Sequence, residues 1–209
     1  MKIESIFLIL FLLFSCSNNK EELPIYGRKK ISERLVDGKL VYDTIEHRIS
    51  NFSFLNQNGQ IVNNKTFEGS VYIADFFFTS CPTICPIMKN NLMDIYKIFE
   101  GNSKVKFLSH TINPSYDNVD RLHSYSNKLG IDNKIWHFVT GDIEKIYEIA
   151  KNSYMVTALE DSDEPGGFLH SGTFLLVDSK RRIRGVYDGT DKSETVSYTH
   201  LTLPTTPYV

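Results

Sequence analysis

The stretch from Val71 to Pro86 constrains the fold more than any other. Val71 to Phe77 is a run of apolar or small residues broken only by Asp75, and Cys81-Pro82-Thr83-Ile84-Cys85-Pro86 follows a few residues later. The run reads as a strand buried on both faces. Beyond it, Met88, Leu92, Ile95 and Phe99 recur at steps of four, three and four, so they share one face of a helix from Ile87 to Phe99. Both cysteines therefore stand at a strand-to-helix junction, where unpaired amide N–H groups lower a nearby thiol's pKa. Pro86 suits the first helical turn, because its missing N–H would have no partner there anyway. A helix starting one turn earlier would hand that role to Pro82.

Two thiols so placed have three fates: a disulfide, a metal site or inert burial. The spacing is one residue longer than Cys-x-x-Cys, which opens the pair into a pincer that still permits a disulfide. Thiolates favour a soft ion, and Cu(I) is softer than zinc. Three cysteines in the whole chain cannot supply a Cys₄ zinc site. Asp75 reads either as an acid–base partner of this site or as an ordinary polar position near the sheet end.

Elsewhere, strands alternate with helices. Phe52-Ser53-Phe54-Leu55 and Gln60-Ile61-Val62 flank Asn58-Gly59, which predicts an N-terminal β-hairpin with a type I′ turn. Val105 to Ile112 is a strand; Asp117 opens a helix that runs to Leu129 and closes at Gly130; Trp136 to Val139 is a strand; Asp142 caps a helix to Lys151. Thr173 to Val177 and Ile183 to Val186 form a hairpin across Ser179 to Arg182. This alternation predicts an α/β fold with a central mixed sheet flanked by helices. Glu160 to Gly167 is an acidic, glycine-ended loop, a solvated turn or a docking face for a basic partner, and it leads into His170. His110, His123 and His137 lack a ligand at metal spacing and read as structural or surface histidines, as does His47. Met88, on the apolar stripe, reads as packing.

The stretches DFFFTSCPTICPIM (Asp75 to Met88) and GGFLHSGTFLLVD (Gly166 to Asp178), with a weaker match in INPSYDNVDRL (Ile112 to Leu122), resemble the Sco/SenC family of thioredoxin-like copper-binding proteins tied to cytochrome c oxidase assembly. The resemblance runs from about Phe52 to Gly189 and departs at Thr83, where many relatives carry Asp. It implies a thioredoxin-like fold and a copper site made by Cys81, Cys85 and His170. Two activities follow from it. One is a metallochaperone that passes copper, as Cu(I) or Cu(II), to the dinuclear copper site of cytochrome c oxidase or a similar exported client. The other is a thiol–disulfide oxidoreductase that uses Cys81 and Cys85 on client cysteines and forms a Cys81–Cys85 disulfide when oxidised.

The chain ends complete the reading. Met1 to Cys16 carries Lys2, a short apolar core from Ile6 to Phe14, and Leu13-Phe14-Ser15-Cys16, which resembles a bacterial lipoprotein box. Cleavage there would leave Cys16 as a lipidated N-terminus on a protein of the bacterial cell envelope, facing the periplasm. In that oxidising compartment the remaining cysteine pair would need a thiol reductant to stay open. Residues 17–51 read as a polar tether with a short edge strand at Lys39 to Tyr42, and 52–194 as the folded domain. Residues 195–209 carry no charged side chain and read as an adapter-derived, non-native tail that replaces the domain's C-terminal helix. A net charge of −2 with acids and bases mixed gives no nucleic-acid footprint. No P-loop, dinucleotide fingerprint or serine-nucleophile motif is present.

Overall fold

The computed structural model describes residues 23–194; the lipoprotein-like segment with Cys16 and the tail 195–209 lie outside the described residues. In chain order the strands and helices are β1 (Lys30–Val36), β2 (Lys39–Ile45), β3 (Ser53–Asn56), β4 (Ile61–Asn63), β5 (Val71–Phe77), α1 (Ile84–Phe99) and β6 (Val105–Thr111). They continue with α2 (Val119–Leu129), β7 (Trp136–Thr140), α3 (Ile143–Ile149), β8 (Ala158–Glu160), β9 (Phe168–His170), β10 (Thr173–Val177) and β11 (Ile183–Asp188).

Seven strands form the central mixed sheet, in the order β11-β10-β5-β6-β7-β3-β4. The middle strands β5, β6 and β7 run parallel, joined through α1 and α2, while β10 and β3 flank them antiparallel. β5 lies inside the sheet between β10 and β6, and Tyr72 to Phe77 are all buried, which is why its sequence shows no polar alternation. The expected α/β architecture with an N-terminal hairpin is the observed one.

Several boundaries move for local reasons. α1 begins at Ile84, three residues before the expected start, with Thr83 as its N-cap. Pro82 falls before the cap and Pro86 sits third in the helix, still among the N–H groups that lack an intrahelical partner. Asn118, not Asp117, caps α2 by accepting a hydrogen bond from the Arg121 amide at 2.9 Å. The turn joining β3 and β4 is not type I′. Gly59 has φ +69 while Asn58 stays at negative φ, and the Asn56 side chain accepts from the amides of Asn58 and Gln60.

The leader differs most. Where a tether with one short strand was expected, β1 and β2 form a two-stranded ribbon. Asp37 (φ 51) and Gly38 (φ 74) close it as a two-residue turn with both positions left-handed, the type I′ pattern expected at the other hairpin. The leader is also tied down. The Tyr26 amide donates to Ile183 O at 2.9 Å, and Arg184 donates to the carbonyls of Leu23 and Pro24.

His110 is wholly buried within an aromatic box. Its ring stacks on Phe76 at 4.9 Å and meets Phe54 edge-on at 5.5 Å, and neither ring nitrogen has a hydrogen-bond partner. Burial pushes its pKa down to about 3. The unfolded chain therefore binds a proton that the native state refuses. Stability is intact above the ordinary histidine pKa and is lost as pH falls toward 3, amounting to about 2 kcal/mol already at pH 5. His110→Phe is expected to shrink the drop in the urea-unfolding midpoint between pH 7 and pH 5; an unchanged drop would assign it to other groups.

Candidate metal centre at the cysteine turn

The β5–α1 junction delivers both sulfurs to one small volume. Cys81 is 9% exposed and Cys85 3%, and both are free thiols. His170 arrives from the far side of the sequence, at the end of β9, and is itself buried. Its Nε2 lies 3.1 Å from the Cys85 sulfur. The ligand atoms of Cys81, Cys85 and His170 lie within 4.8 Å of one another, the one such cluster of three metal-binding side chains among the described residues. Three donors around one ion at bond lengths of about 2.0–2.3 Å cannot be much more than about 4.6 Å apart, so these need only a few tenths of an ångström of contraction. The soft set of two sulfurs and one imidazole fits copper.

The imidazole is oriented for that task. His170 Nδ1 lies 3.2 Å from the Ser171 carbonyl, which can only accept, so Nδ1 carries the proton and Nε2 presents its lone pair to the sulfurs. Burial lowers the His170 pKa, which keeps the ring neutral. The two thiols are unequal. Burial acts to raise the pKa of Cys81, but the amides of Cys85 and Thr83, with the Cys85 thiol and Thr83 hydroxyl, outweigh it and leave that pKa lowered. Burial raises Cys85 well above the ordinary thiol range, and a neighbouring charge on Cys81 adds to this. Cys81 is thus the thiol that ionises first.

Two fastenings hold the parts in place. Asp117, fully buried, accepts hydrogen bonds from the Thr79 amide at 2.9 Å, the Thr79 hydroxyl, and the Thr111 hydroxyl at 2.6 Å. It clamps the start of the cysteine turn from the β6–α2 loop. The acidic loop is also less free than its glycines suggested. It closes the β8–β9 hairpin through hydrogen bonds between the Asp161 amide and Gly167 O and between the Gly167 amide and Glu164 O. Gly166, at φ +91, packs so tightly that a Cβ there would fall 2.9 Å from the Phe78 ring and 3.2 Å from Pro82. Phe78 in turn contacts Phe168 and His170, with ring centroids 5.2 and 5.9 Å away, so the ribbon carrying the imidazole rests on the cysteine turn.

Asp75 is not at the sheet end. It lies mid-strand in β5, 1% exposed, and binds Lys89 Nζ at 3.3 Å as well as the Ser109 hydroxyl. Lys89 stands one helical turn after Cys85 and points inward among the rings of Phe77, Trp136 and Phe138, each within 5 Å. Sequence reading singled out neither Lys89 nor the clamping role of Asp117. The signal for Lys89 was there: it falls beside Met88 and three residues before Leu92, on the face that had to be buried. Met88 is buried as expected; His110 and His137 are buried in the core, and His123 is exposed, with its ring bonded to the Gln57 carbonyl. His47 is more than a surface group, since its Nε2 donates to Ser153 O.

Fold and site together define a thioredoxin-like domain with a dithiol–imidazole centre. Residues 43–201 match the SCO1/SenC family model, and the chain belongs to that family. It is similar to a SCO1/SenC family lipoprotein from Bacillus anthracis str. Ames, with 27% sequence identity and a TM-score of 0.66 over 74% of this chain and 95% of that one. It is similar to BsSco, a member of the Sco family of cytochrome c oxidase assembly proteins in which a disulfide switch was identified, at 26% identity and a TM-score of 0.64 over 74% of this chain and 92% of that one. The crystal structure of Arabidopsis thaliana ScoI with copper bound is 27% identical, with a TM-score of 0.60 over 72% of this chain and 92% of that one.

Removing the cation under the site tests its structural role. Lys89→Met leaves Asp75 buried and uncompensated and is expected to cost about 3–5 kcal/mol in urea unfolding of the reduced protein. Lys89→Met combined with Asp75→Asn is expected to recover part of that loss. Equal losses in the single and double variants would contradict the pairing.

Proposed function

We propose that this protein is a copper metallochaperone that holds its cargo on Cys81, Cys85 and His170. The observation that carries the reading is the convergence of those three donors within 4.8 Å, with Nε2 of His170 turned toward the sulfurs. Copper enters as substrate. The Cys81 thiol ionises first, the ion displaces the proton of Cys85, and the neutral imidazole needs to lose none. Release to a client proceeds by ligand exchange, each departing donor replaced by one of the client's. His170 is suited to leave early, because it sits on a small two-stranded ribbon apart from the central sheet. The copper-bound relative and the oxidase-assembly relative support the dinuclear copper site of cytochrome c oxidase, or a similar exported site, as the client. Lipidation at Cys16, with the domain held at the bacterial cell envelope and facing the periplasm, completes the proposal, supported by the lipoprotein-like leader and the lipoprotein relative.

A second activity of the same pair is favoured by the unequal thiols. The Cys81 thiolate attacks a client disulfide and forms a mixed disulfide. The Cys85 thiol then attacks the Cys81 sulfur as its proton leaves. The client departs as a dithiol, and Cys81 and Cys85 become the disulfide, having given up two electrons. A thiol reductant must reopen the pair before copper can load.

Copper titration of the reduced protein decides between the two. His170→Ala is expected to weaken binding at least about tenfold and to shift the sulfur-to-Cu(II) charge-transfer band, while leaving disulfide formation intact. A variant that binds as tightly with the same spectrum would leave only thiol exchange. Because binding displaces at least the Cys85 proton, apparent affinity is expected to rise by at least about tenfold per pH unit through the neutral range. A flat dependence would mean that Cys85 is not a ligand.

A further inference from the structure

The ribbon of β1 and β2 takes no part in the copper centre, yet it gathers exposed apolar side chains on one face. Its pairing sets Ile31 against Thr44, Glu33 against Tyr42 and Leu35 against Leu40, which puts these six residues on a common side. All six are exposed, Ile31 by 74%, Leu35 by 73%, Tyr42 by 61% and Leu40 by 50%. An isolated two-stranded ribbon is marginal in water, and this one offers water an apolar stripe. The family match begins at residue 43, inside β2, so β1 lies outside it.

Charge and chain length indicate what covers the stripe. Over the ribbon as a whole Arg28, Lys29, Lys30, Arg34 and Lys39 outnumber Glu33, Asp37 and Asp43, with Lys30, Arg34 and Lys39 alternating onto the opposite face and Glu33 the one charged residue of the apolar one. This cationic excess opposes the pairing of two copies and suits an anionic surface. Leu23 is fixed to the domain through Arg184. Only the six residues Ser17 to Glu22 separate it from Cys16, a reach of at most about 25 Å. Seven-residue strands are about 23 Å long, so the ribbon can span the gap that such a leader would leave. Tyr42 is the kind of amphipathic ring that settles at headgroup level.

We propose that this face lies on an anionic phospholipid bilayer and fixes the orientation of the domain above it. The inference rests on the reading of Cys16 as the lipid-bearing residue, which places that bilayer within reach. An anchor alone leaves the domain free to swivel; the ribbon supplies a second contact, four apolar side chains around Glu33 on the face and a cationic excess over the ribbon as a whole.

Tyr42→Trp tests it in the full lipidated chain, because the natural Trp136 is completely buried and serves as a silent internal standard. In vesicles of phosphatidylglycerol and phosphatidylethanolamine, the indole introduced at position 42 is expected to shift to the blue. It is expected to be quenched by brominated acyl chains, an effect that Ile31→Glu with Leu35→Glu abolishes. Emission that stays water-like in vesicles overturns the proposal. So does a blue shift that grows with protein concentration without lipid, which would make a second copy the occupant. Mass spectrometry of the mature chain reads the anchor separately. An unacylated Cys16 overturns the anchor reading, and quenching by vesicles added to that unacylated chain then still decides the ribbon.

Discussion

A sulfur and an imidazole nitrogen 3.1 Å apart, from residues Cys85 and His170 in distant parts of the chain, set the demand that the rest of the structure meets. Neither group can hold that position alone. The sulfur depends on a helix that starts immediately before it, and the nitrogen on a separate two-stranded ribbon that packs on the cysteine turn through Phe168 and Gly166. Phe78 serves both sides, since it ends the approach to the cysteines and supports Phe168 and His170. Asp117 then removes the remaining freedom of the turn by holding Thr79 at both its amide and its hydroxyl. The result is a soft-donor pocket assembled before any ion arrives, so little ordering cost is left to binding.

Beneath the pocket the core is polar in one small region. Asp75, Lys89 and Ser109 bond to one another, and the Trp136 indole N–H donates to the Ser109 hydroxyl at 2.9 Å. A buried ion pair is seldom a gain over a well-packed apolar core. Here the aromatic rings around Lys89 Nζ return part of the cost of desolvation, each presenting a face within 5 Å. The cation also sits one helical turn from Cys85, on the side where charge develops when the thiols ionise. The domain therefore carries a buried ion pair close to a site whose own charge changes with proton and copper.

Much of this was legible in the sequence. The apolar run of β5 and the four-three-four stripe of α1 are strong periodic signals, and they located the cysteine turn correctly. The family resemblance named His170, which no spacing rule could have joined to cysteines so far away in the chain. Other features were less visible. Asp-Gly and Asn-Gly are similar as hairpin signals, and only the backbone shows that Asp37-Gly38 makes the left-handed pair while Asn58 does not. Asp117 looked like a helix cap because caps and turn clamps use the same carboxylate chemistry. Lys89 was hidden by the habit of counting apolar positions on a helix face; a charged residue on that face marks a buried partner, and Asp75 was the acid waiting for it. The order in the acidic loop comes from its own backbone hydrogen bonds and from Gly166 lying against Phe78, neither of which a composition can state.

The most direct measurement of the central claim is the copper K-edge X-ray absorption fine structure of the reduced, copper-loaded protein. A first shell of two sulfurs and at least one imidazole nitrogen is expected, with the nitrogen scattering lost in His170→Ala and one sulfur lost in Cys85→Ser. A shell made of nitrogen and oxygen alone, or one that His170→Ala leaves untouched, would contradict it.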